Sequence, residues 1–443
     1  MRSDLMRAEG PLTGRVRVPG DKSIGHRSLL IGALCDGVVD VTGLSGGEDN
    51  RSSAAVLAEL GVIIERDSGD TRKVGFASAA SPTHCIVHGV GLDGLKPPTR
   101  PLDCGNSGTT MRLVLGILTG QPFEATLVGD HSLSRRPMKR VLAPLQKMGL
   151  SIVSAKDGGY APITVRGARP TTAITYASPI ASAQVKSAIM LAGLWADGTT
   201  VVTEPETSRD HTERMLAWLR EGSASPSSTG LGRPPRAKAI HVPGDLSSAA
   251  FMLAAGLLVP GSHVVVEDVG VNPTRTGFLE ALDAMGITVG RGATVERNNE
   301  PAADLEVRHG SYRGCTIGGA LAVRAIDELP LLATLAARAD GTTVIRDAAE
   351  LRVKESDRIA QTAAMLRSFG VPVDEHADGM TIHGDPERAL TAGKIDADGD
   401  HRIAMCASLM ALIAPAGTVI HGTDTIATSF PTFHDALRSL GAR

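Results

Sequence analysis

The sequence has few aromatic residues, few cysteines and almost no net charge. Aromatic residues make up 3% of the 443 residues, and the formal net charge is -3. A chain without stacking platforms or an excess of basic residues is not expected to bind nucleic acid or an anionic membrane. The five cysteines are scattered and include no C-x-x-C pair. This pattern argues against a disulfide framework or a thiolate zinc site, and it fits a reducing cytosol.

Long apolar runs are also missing. No uninterrupted apolar run reaches the length of a membrane span, and residues 1–14 lack the apolar core of a signal peptide. We therefore expect a cytoplasmic protein without a membrane partner. The length of the chain favours two domains of roughly 200 residues each.

What the sequence does contain is a repeated unit. Most of the Ala/Leu/Met-rich helical patterns are followed by a β-branched strand, and in five units a second helix ends before a glycine suited to a left-handed C-cap. The helical patterns begin after six short polar heads: DKS at 21–23, GNS at 105–107, SAQ at 182–184, DLS at 245–247, DEL at 327–329 and DHR at 400–402. Six such units predict an α/β protein with two domains of three repeats.

The tetrapeptide Val-Pro-Gly-Asp marks the expected domain boundary. It occurs at 18–21 and again at 242–245, as two crossings of one hinge would. We expect domain I to contain residues 1–20 and 243–443, and domain II to contain residues 21–242. The short N-terminal strand is then expected to join the C-terminal half.

The stretch GDKSIGHR places three potential cations, Lys22, His26 and Arg27, at the start of an apolar helix. The exposed N–H groups and the helix dipole already make this end positive, so the arrangement is unfavourable by itself. A bound anion would reverse that balance. The alternative is a solvated helix face.

Eight motifs resemble those of the enolpyruvyl transferase family, in the same order and over nearly the whole chain: GDKSIGHR, GNSGTTMR, RRPM, SAQVKSA, IDELP, RVKESDRI, GDHRIAM and TSFP. The resemblance implies an inside-out α/β barrel-like architecture. Each domain would hold three βαβαββ repeats with the helices inside, and the active site would lie in the interdomain cleft.

The same resemblance implies an activity. Family members transfer the carboxyvinyl group of phosphoenolpyruvate to the 5-hydroxyl of shikimate 3-phosphate. This reaction of aromatic amino acid biosynthesis yields 5-enolpyruvylshikimate 3-phosphate (EPSP) and phosphate. No metal or organic cofactor is implied, the partners are the two small substrates, and we expect a monomer.

The resemblance also implies two sets of ligand-binding residues. The set for shikimate 3-phosphate is Lys22, Ser23, Arg27, Ser182, Ala183, Gln184, Arg209, Asp327 and Lys354. The set for phosphoenolpyruvate is Lys22, Asn106, Gly108, Arg136, Gln184, Arg358 and Arg402. Ser182 could equally be an ordinary helix N-cap, and Arg112 could be either a ligand or an internal helix-cap or interdomain contact. Gly108 would let the backbone approach the small donor closely.

Three residues are predicted to be catalytic. Asp327, after an apolar strand-like segment, is the candidate base for the 5-hydroxyl, with an N-cap Asp as the alternative. Glu355 with Lys22 is the candidate proton source for the methylene carbon of phosphoenolpyruvate. The alternative for Glu355 is a salt-bridged helix face formed with Lys354, Asp357 and Arg358.

One departure from the family pattern, one expectation about inhibition and two rival functions complete the prediction. Many relatives have a lysine just before the pair Phe430-Pro431, where this chain has Thr428-Ser429. Gly108 leaves room for the inhibitor glyphosate, so we expect sensitivity. UDP-N-acetylglucosamine enolpyruvyl transferase is disfavoured by Ser23, where that family has asparagine, and by the lack of cysteine in GDHSLSRRPM. A non-catalytic phosphometabolite-binding protein would not require both Asp327 and Glu355.

Overall fold

The computed structural model describes residues 6–66, 83–220, 222, 224–225, 227–229 and 234–443. Within these residues the α-helices are α1 (Lys22–Ala33), α2 (Glu48–Glu59), α3 (Gly108–Thr119), α4 (Lys139–Lys147), α5 (Ala183–Ala192), α6 (His211–Arg220), α7 (Leu246–Leu258), α8 (Gly277–Ala284), α9 (Gly319–Arg324), α10 (Leu329–Ala336), α11 (Arg358–Ser368), α12 (His401–Ile413) and α13 (Phe433–Ser439). Short 3-10 helices are Leu133–Arg135, Gly193–Trp195, Ala349–Val353 and Thr423–Thr428.

The strands of the described residues are short. They are β1 (Thr13–Val16), β2 (Asp36–Leu44), β3 (Ile63–Arg66), β4 (Thr83–Val90), β5 (Leu102–Asp103), β6 (Glu124–Val128), β7 (Ser151–Lys156), β8 (Tyr160–Arg166), β9 (Thr175–Ala177), β10 (Thr199–Thr203), β11 (Ser227–Thr229), β12 (Ile240–His241), β13 (His263–Gly270), β14 (Gly290–Arg291), β15 (Val295–Arg297), β16 (Glu300–Arg308), β17 (Thr316–Ile317), β18 (Gly341–Ile345), β19 (Val373–His376), β20 (Gly379–Gly384), β21 (Lys394–Asp396) and β22 (Val419–His421).

The predicted polar heads begin helices α1, α3, α5, α7, α10 and α12, so this prediction is confirmed. Five of the heads supply an N-cap side chain that accepts a hydrogen bond from a backbone N–H of the first turn, as short polar side chains do: Asp21, Ser107, Ser182, Asp245 and Asp400. At the other ends, the predicted C-cap glycines have φ values between +82° and +112°. These are Gly61, Gly149, Gly286, Gly370 and Gly441.

The chain folds into two compact units. Unit 1 comprises Met1–Pro19, Pro243–Val295 and Pro301–Arg443, and unit 2 comprises Gly20–Val242 and Glu296–Glu300.

Unit 2 surrounds α1, α3 and α5 with three sheets, whose strand orders are β12-β2-β4-β3, β5-β6-β8-β7 and β11-β10-β9. In the first two sheets one strand pairs in parallel with the next and the remaining pairs are antiparallel. The three helices are buried along nearly their whole length. They therefore lie inside the sheets, and their first turns supply the polar residues described below.

Unit 1 repeats this arrangement around α7, α10 and α12. Its sheets have the orders β1-β13-β16-β14, with β15 also paired to β16, then β17-β18-β20-β19 and β21-β22. The N-terminal strand β1 pairs in parallel with β13, from Thr13 opposite His263 to Val16 opposite Val266. Every residue of α7 is buried, so this helix is hydrophobic on all sides.

The third repeat of each unit is smaller than the predicted βαβαββ pattern. Among the described residues, β9 to β11 form a three-stranded sheet and β21 pairs with β22 alone. In unit 1 the reason is visible after β22, where Phe430, Phe433 and Leu437 enter the hydrophobic core. The apolar surface that further strands would cover is covered there by the 3-10 helix and α13.

None of the helices in the described part of the chain combines the length and the apolar composition that crossing a bilayer would require.

Candidate functional site

The predicted site residues fall into two clusters, one within each unit. In unit 2 they lie at or beside the starts of α1, α3 and α5, with Arg209 in the segment before α6, and in unit 1 they lie before or in the first turns of α10, α11 and α12. Each cluster is described by itself.

At the start of α1, Lys22 is half-buried and forms an ion pair with Asp49 of α2, at 2.9 Å between Nζ and Oδ2. Asp21 caps the helix by accepting a hydrogen bond from Ile24 N. Ser23 is half-buried beside Lys22. The solvated-face interpretation of this motif is therefore wrong for Arg27, whose residue is only 2% exposed.

The Arg27 guanidinium is anchored by three hydrogen bonds inside unit 2. It donates to Thr212 Oγ1 at 2.6 Å, to Ser187 Oγ at 2.7 Å and to the Ser23 carbonyl at 2.8 Å. Burial lowers the pKa of Arg27 to about 10, so the group remains charged at neutral pH. The positive charge of Arg27 therefore lies next to the Ser23 backbone, in the interior of unit 2.

The start of α3 is a second positive region. A Cβ built on Gly108 would lie 2.7 Å from the Arg112 guanidinium and 3.7 Å from that of Arg136. Burial, with the nearby charges of Arg136 and Arg140, lowers the pKa of Arg112 to about 10. Two like charges beside a residue without a side chain favour an anion at this point.

Hydrogen bonds orient both of these arginines. Arg136 donates to Asn106 Oδ1 at 2.9 Å, and the Asn106 amide donates to Asp130 Oδ2 at 2.6 Å. Arg112 donates to Gln184 Oε1 at 2.6 Å. Arg112 therefore makes an internal contact, while Arg135, next to Arg136 in the sequence, is exposed.

Helix α5 starts at Ala183 above a buried ion cluster. Ser182 is the N-cap, since its hydroxyl accepts a hydrogen bond from Val185 N at 3.4 Å. The Lys186 ammonium lies 2.8 Å from a carboxylate oxygen of both Glu204 and Glu213. Burial opposes charge on Lys186, but the two carboxylates outweigh it and raise the pKa of Lys186.

Glu204 also connects this cluster to the helix start, because its Oε1 accepts a hydrogen bond from Ser182 N at 2.7 Å. Arg209 is half-buried in the segment before α6. The predicted binding residues of unit 2 are therefore brought to three neighbouring helix starts.

In unit 1, Arg358 is the centre of the cluster and is 1% exposed. Its guanidinium bonds Asp400 through Nε, at 2.8 Å from Oδ2, and pairs with Glu355 Oε2 at 2.7 Å. Asp327 Oδ1 lies 3.7 Å away. Burial opposes its charge, but these three carboxylates outweigh that effect and raise the pKa of Arg358.

Asp327 is not the N-cap of α10. Glu328 occupies that position, and the helix has no side-chain cap hydrogen bond. The segment before Asp327 is helix α9 and not the expected strand, because its sequence GALAVR is rich in good helix formers. The Asp327 side chain is 19% exposed, and its Oδ1 lies 3.8 Å from Lys354 Nζ. The carboxylate is therefore accessible to solvent and lies next to a cation.

One further cation, Arg402, completes this cluster. Arg402 donates to the Asp327 carbonyl at 2.6 Å, and its own N–H donates to Asp400 Oδ1 at 2.9 Å. Burial would raise the pKa of Asp400, but Arg358 outweighs it and lowers that pKa to about 2. Residues 354–357 precede α11, so Glu355 does not lie on a helix face, although the salt bridge with Arg358 that this interpretation contains is present.

Sequence reasoning missed the partners that hold the predicted cations. Asp49 pairs with Lys22, Glu204 and Glu213 pair with Lys186, and Asp400 pairs with Arg358. The only available signal was the position of Asp400 in the head DHR, directly before a predicted helix. Among the described residues, no group of three or more His, Cys, Asp or Glu side chains is placed to hold a metal ion.

Comparison with known proteins places the chain in a family. The family model described as EPSP synthase (3-phosphoshikimate 1-carboxyvinyltransferase) matches residues 6–437. The chain is 48% identical over 433 residues to the 3-phosphoshikimate 1-carboxyvinyltransferase of Xanthomonas axonopodis pv. citri, covering 97% of this chain and 94% of that protein.

Solved structures agree with this result. The structure of EPSP synthase from Acinetobacter baumannii matches with a TM-score of 0.86 and 41% identity, over 99% of this chain and 97% of that one. The enolpyruvyl transferase NikO from Streptomyces tendae matches with a TM-score of 0.75 and 18% identity, over 99% and 97% of the two chains, which supports the fold alone. The chain belongs to the EPSP synthase family.

Proposed function

We propose that this protein transfers the enolpyruvyl group of phosphoenolpyruvate to the 5-hydroxyl of shikimate 3-phosphate, forming EPSP and phosphate in the shikimate pathway. We further propose that it works as a cytoplasmic monomer on these two small substrates. The family membership supports the reaction. The positive helix starts of unit 2 support the binding of phosphorylated acids, and the accessible carboxylate of Asp327 in unit 1 supports proton transfer.

The observation that carries this proposal is the environment of Asp327. Its carboxylate is accessible, is not used as a helix cap, and lies 3.8 Å from Lys354 Nζ. An accessible carboxylate among the cations would not increase the affinity of a protein that only binds anions. A base for the 5-hydroxyl needs such a group, and the lysine beside it would stabilise the oxygen as it loses its proton.

We propose that the residues of unit 2 bind both substrates. Lys22 would contact both, and Ser23, Ser182, Ala183, Gln184 and Arg209 would bind shikimate 3-phosphate, with Arg27 contributing its charge from its position next to the Ser23 backbone. Asn106, Gly108, Gln184 and Arg136 would bind phosphoenolpyruvate. Asn106 and Arg136 are already bonded to each other at 2.9 Å, so their geometry would be fixed before the donor arrives.

From unit 1, Asp327 and Lys354 would act on the acceptor. Of the two predicted donor-binding arginines, Arg402 and Arg358, we propose that only one contacts the donor directly. Arg402 is the more accessible of these two arginines, with 12% of its side chain exposed against 2% for Arg358. We therefore assign direct contact with the donor to Arg402. Arg358 would act mainly by orienting Glu355, with which it is paired at 2.7 Å.

The reaction would proceed by addition and elimination. The 5-oxygen attacks C2 of phosphoenolpyruvate while Asp327 takes its proton, and Glu355 with Lys22 delivers a proton to C3, which becomes a methyl group. In the second step the methyl group loses a proton and the C2–O bond to phosphate breaks. The same groups then act in reverse, as microscopic reversibility requires.

Release of phosphate from phosphoenolpyruvate tests the proposed function. It should be measured with shikimate 3-phosphate, with UDP-N-acetylglucosamine and with no acceptor. We expect release only with shikimate 3-phosphate. Release only with the nucleotide sugar would assign the chain to the sister activity, and no release from a folded sample would favour a binding protein.

A further inference from the structure

Four polar side chains form a continuous series of hydrogen bonds inside unit 2, between helices α1, α2 and α3. His26 Nδ1 lies 2.8 Å from Ser53 Oγ, and Ser53 Oγ lies 2.8 Å from Thr110 Oγ1. Thr110 Oγ1 in turn lies 2.9 Å from Ser107 Oγ. All four residues are at most 2% exposed. We call these residues the hydroxyl chain.

We assign a direction to the hydroxyl chain by counting donors. Thr110 Oγ1 is placed to donate its single hydrogen to Ser107 Oγ at 2.9 Å, whereas the Asp49 carbonyl and His26 Nδ1 each lie 3.5 Å from it. Either hydroxyl of the Ser53–Thr110 pair could be the donor by distance, and we assign the Thr110 hydrogen to Ser107. Ser53 must then donate to Thr110. Its hydrogen is thereby used, so His26 Nδ1 must carry a hydrogen and donate to Ser53.

One end of the hydroxyl chain lies at the proposed donor site. Ser107 caps α3 by accepting a hydrogen bond from Thr110 N at 3.2 Å, and Gly108 is the next residue. The other end lies on α1, one turn after Lys22. The hydroxyl chain therefore connects the helix start that carries Gly108 with the helix start that carries Lys22.

We propose that the hydroxyl chain fixes the start of α3 against α1 and α2, and that Ser53 and Thr110 are positioning residues for phosphoenolpyruvate. This inference rests on the proposed function. Neither hydroxyl touches the substrate in this account. Each acts by fixing the positions of Ser107 and Gly108, so that Arg136 and Lys22 contact the same phosphoenolpyruvate molecule.

Removal of one hydroxyl leaves its buried neighbours without a partner, which costs more than the hydrogen bond itself contributes. Thr110→Val keeps the shape of the side chain and removes the hydroxyl. We expect this variant to raise KM for phosphoenolpyruvate by about five- to tenfold. KM for shikimate 3-phosphate should stay within about twofold, because Ser107 and Gly108, which the hydroxyl chain holds, are not among the residues proposed to bind that substrate.

Two control variants separate positioning from a general loss of stability. Thr110→Ser keeps the hydroxyl and should restore KM for phosphoenolpyruvate. Thr126→Val removes one hydroxyl of another, half-buried pair in unit 2, in which Thr126 and Thr164 lie 2.9 Å apart on β6 and β8. This variant should lower the unfolding temperature without a change in either KM.

The hydrogen on His26 Nδ1 provides a readout that needs no activity measurement. Nitrogen-15 NMR of the wild-type protein labelled at histidine should identify one buried imidazole as the neutral Nδ1–H tautomer, assigned through its loss in His26→Asn. Observation of the Nε2–H tautomer for His26 would overturn the direction of the hydroxyl chain.

The results for the hydroxyl chain and for the proposed function can be told apart. If the wild type releases phosphate and Thr110→Val has an unchanged KM for phosphoenolpyruvate, the positioning role is wrong. If the wild type releases no phosphate with either acceptor, the proposed function is wrong, and the role of Ser53 and Thr110 for this donor is wrong with it. The NMR result reports on the hydrogen bonds in both cases.

Discussion

Arg358 Nε donates a hydrogen bond to Asp400 Oδ2 at 2.8 Å, and 2% or less of each side chain is exposed. Forty-two residues separate the two in the sequence. Asp400 also caps α12 by accepting a hydrogen bond from Arg402 N. The Asp400 carboxylate therefore holds two groups in place. One is the buried Arg358 guanidinium, which pairs with Glu355, and the other is the start of α12, which carries Arg402.

The first prediction concerns the stability that Asp400 provides. Asp400→Asn retains a cap for α12 but leaves the buried Arg358 charge with one fewer carboxylate. We expect the free energy of unfolding to fall by about 3 to 5 kcal/mol, as when one partner of a buried ion pair is removed. Urea unfolding measures this change, and Asp435→Asn, which alters an exposed carboxylate, should leave the midpoint unchanged.

The second prediction concerns pH. Burial lowers the pKa of His26 to about 3, below the ordinary value of 6.5. Between these two pH values the unfolded chain binds one proton more than the folded protein, so stability falls as the pH falls from about 6.5 to about 3. The slope from this residue is at most about 1.4 kcal/mol per pH unit.

Urea unfolding at several pH values tests that slope. His26→Asn keeps an N–H donor for Ser53 but has no group that titrates in this range, so its stability should fall less steeply below pH 6.5. His131→Asn, at an exposed position, should retain the wild-type slope. Equal slopes for His26→Asn and the wild type would contradict the assignment.

The third prediction compares two glycines of α3. A Cβ on Gly108 would meet the flexible end of Arg112, at 2.7 Å, whereas a Cβ on Gly116 would meet the Ala188 carbonyl of α5, at 2.4 Å. Gly108→Ala should therefore displace a guanidinium at the proposed donor site and raise KM for phosphoenolpyruvate, with little loss of stability. It should also weaken any inhibition by glyphosate.

Gly116→Ala is the matched variant and should behave in the opposite way. Because backbone atoms cannot move aside easily, it should lower the free energy of unfolding by about 1 to 3 kcal/mol. Steady-state kinetics and urea unfolding of both variants check the comparison. Equal effects of the two substitutions on KM would show that Gly108 has no special relation to the donor.

The fourth prediction concerns the buried lysine of α5. Lys186→Met would leave Glu204 and Glu213 buried without their shared cation, and we expect a loss of about 3 to 5 kcal/mol in unfolding free energy. Adding Glu213→Gln removes one of the two charges and should recover part of the loss. Lys139→Met, at an exposed position, is the control, and failure of the second substitution to restore stability would contradict the ion cluster.

The repeated pattern made much of the fold predictable. Polar heads, apolar helices and terminal glycines are local features, and the structure has helices at all six heads. The partners of Arg27 and Lys186 were not predictable, because Thr212, Ser187 and Glu213 come close only when α1, α5 and α6 pack together. Sequence alone also could not exclude Asp327 as a helix cap, since that choice depends on where the backbone of α10 begins.

The most direct measurement follows both substrates in one reaction by phosphorus-31 NMR. With wild-type protein, the signals of phosphoenolpyruvate and shikimate 3-phosphate should decrease together, while those of inorganic phosphate and the enolpyruvyl 3-phosphate product increase equally. Asp327→Asn, verified as folded, should lose most of this conversion. Consumption of phosphoenolpyruvate without shikimate 3-phosphate, or a wild-type rate in Asp327→Asn, would contradict the account.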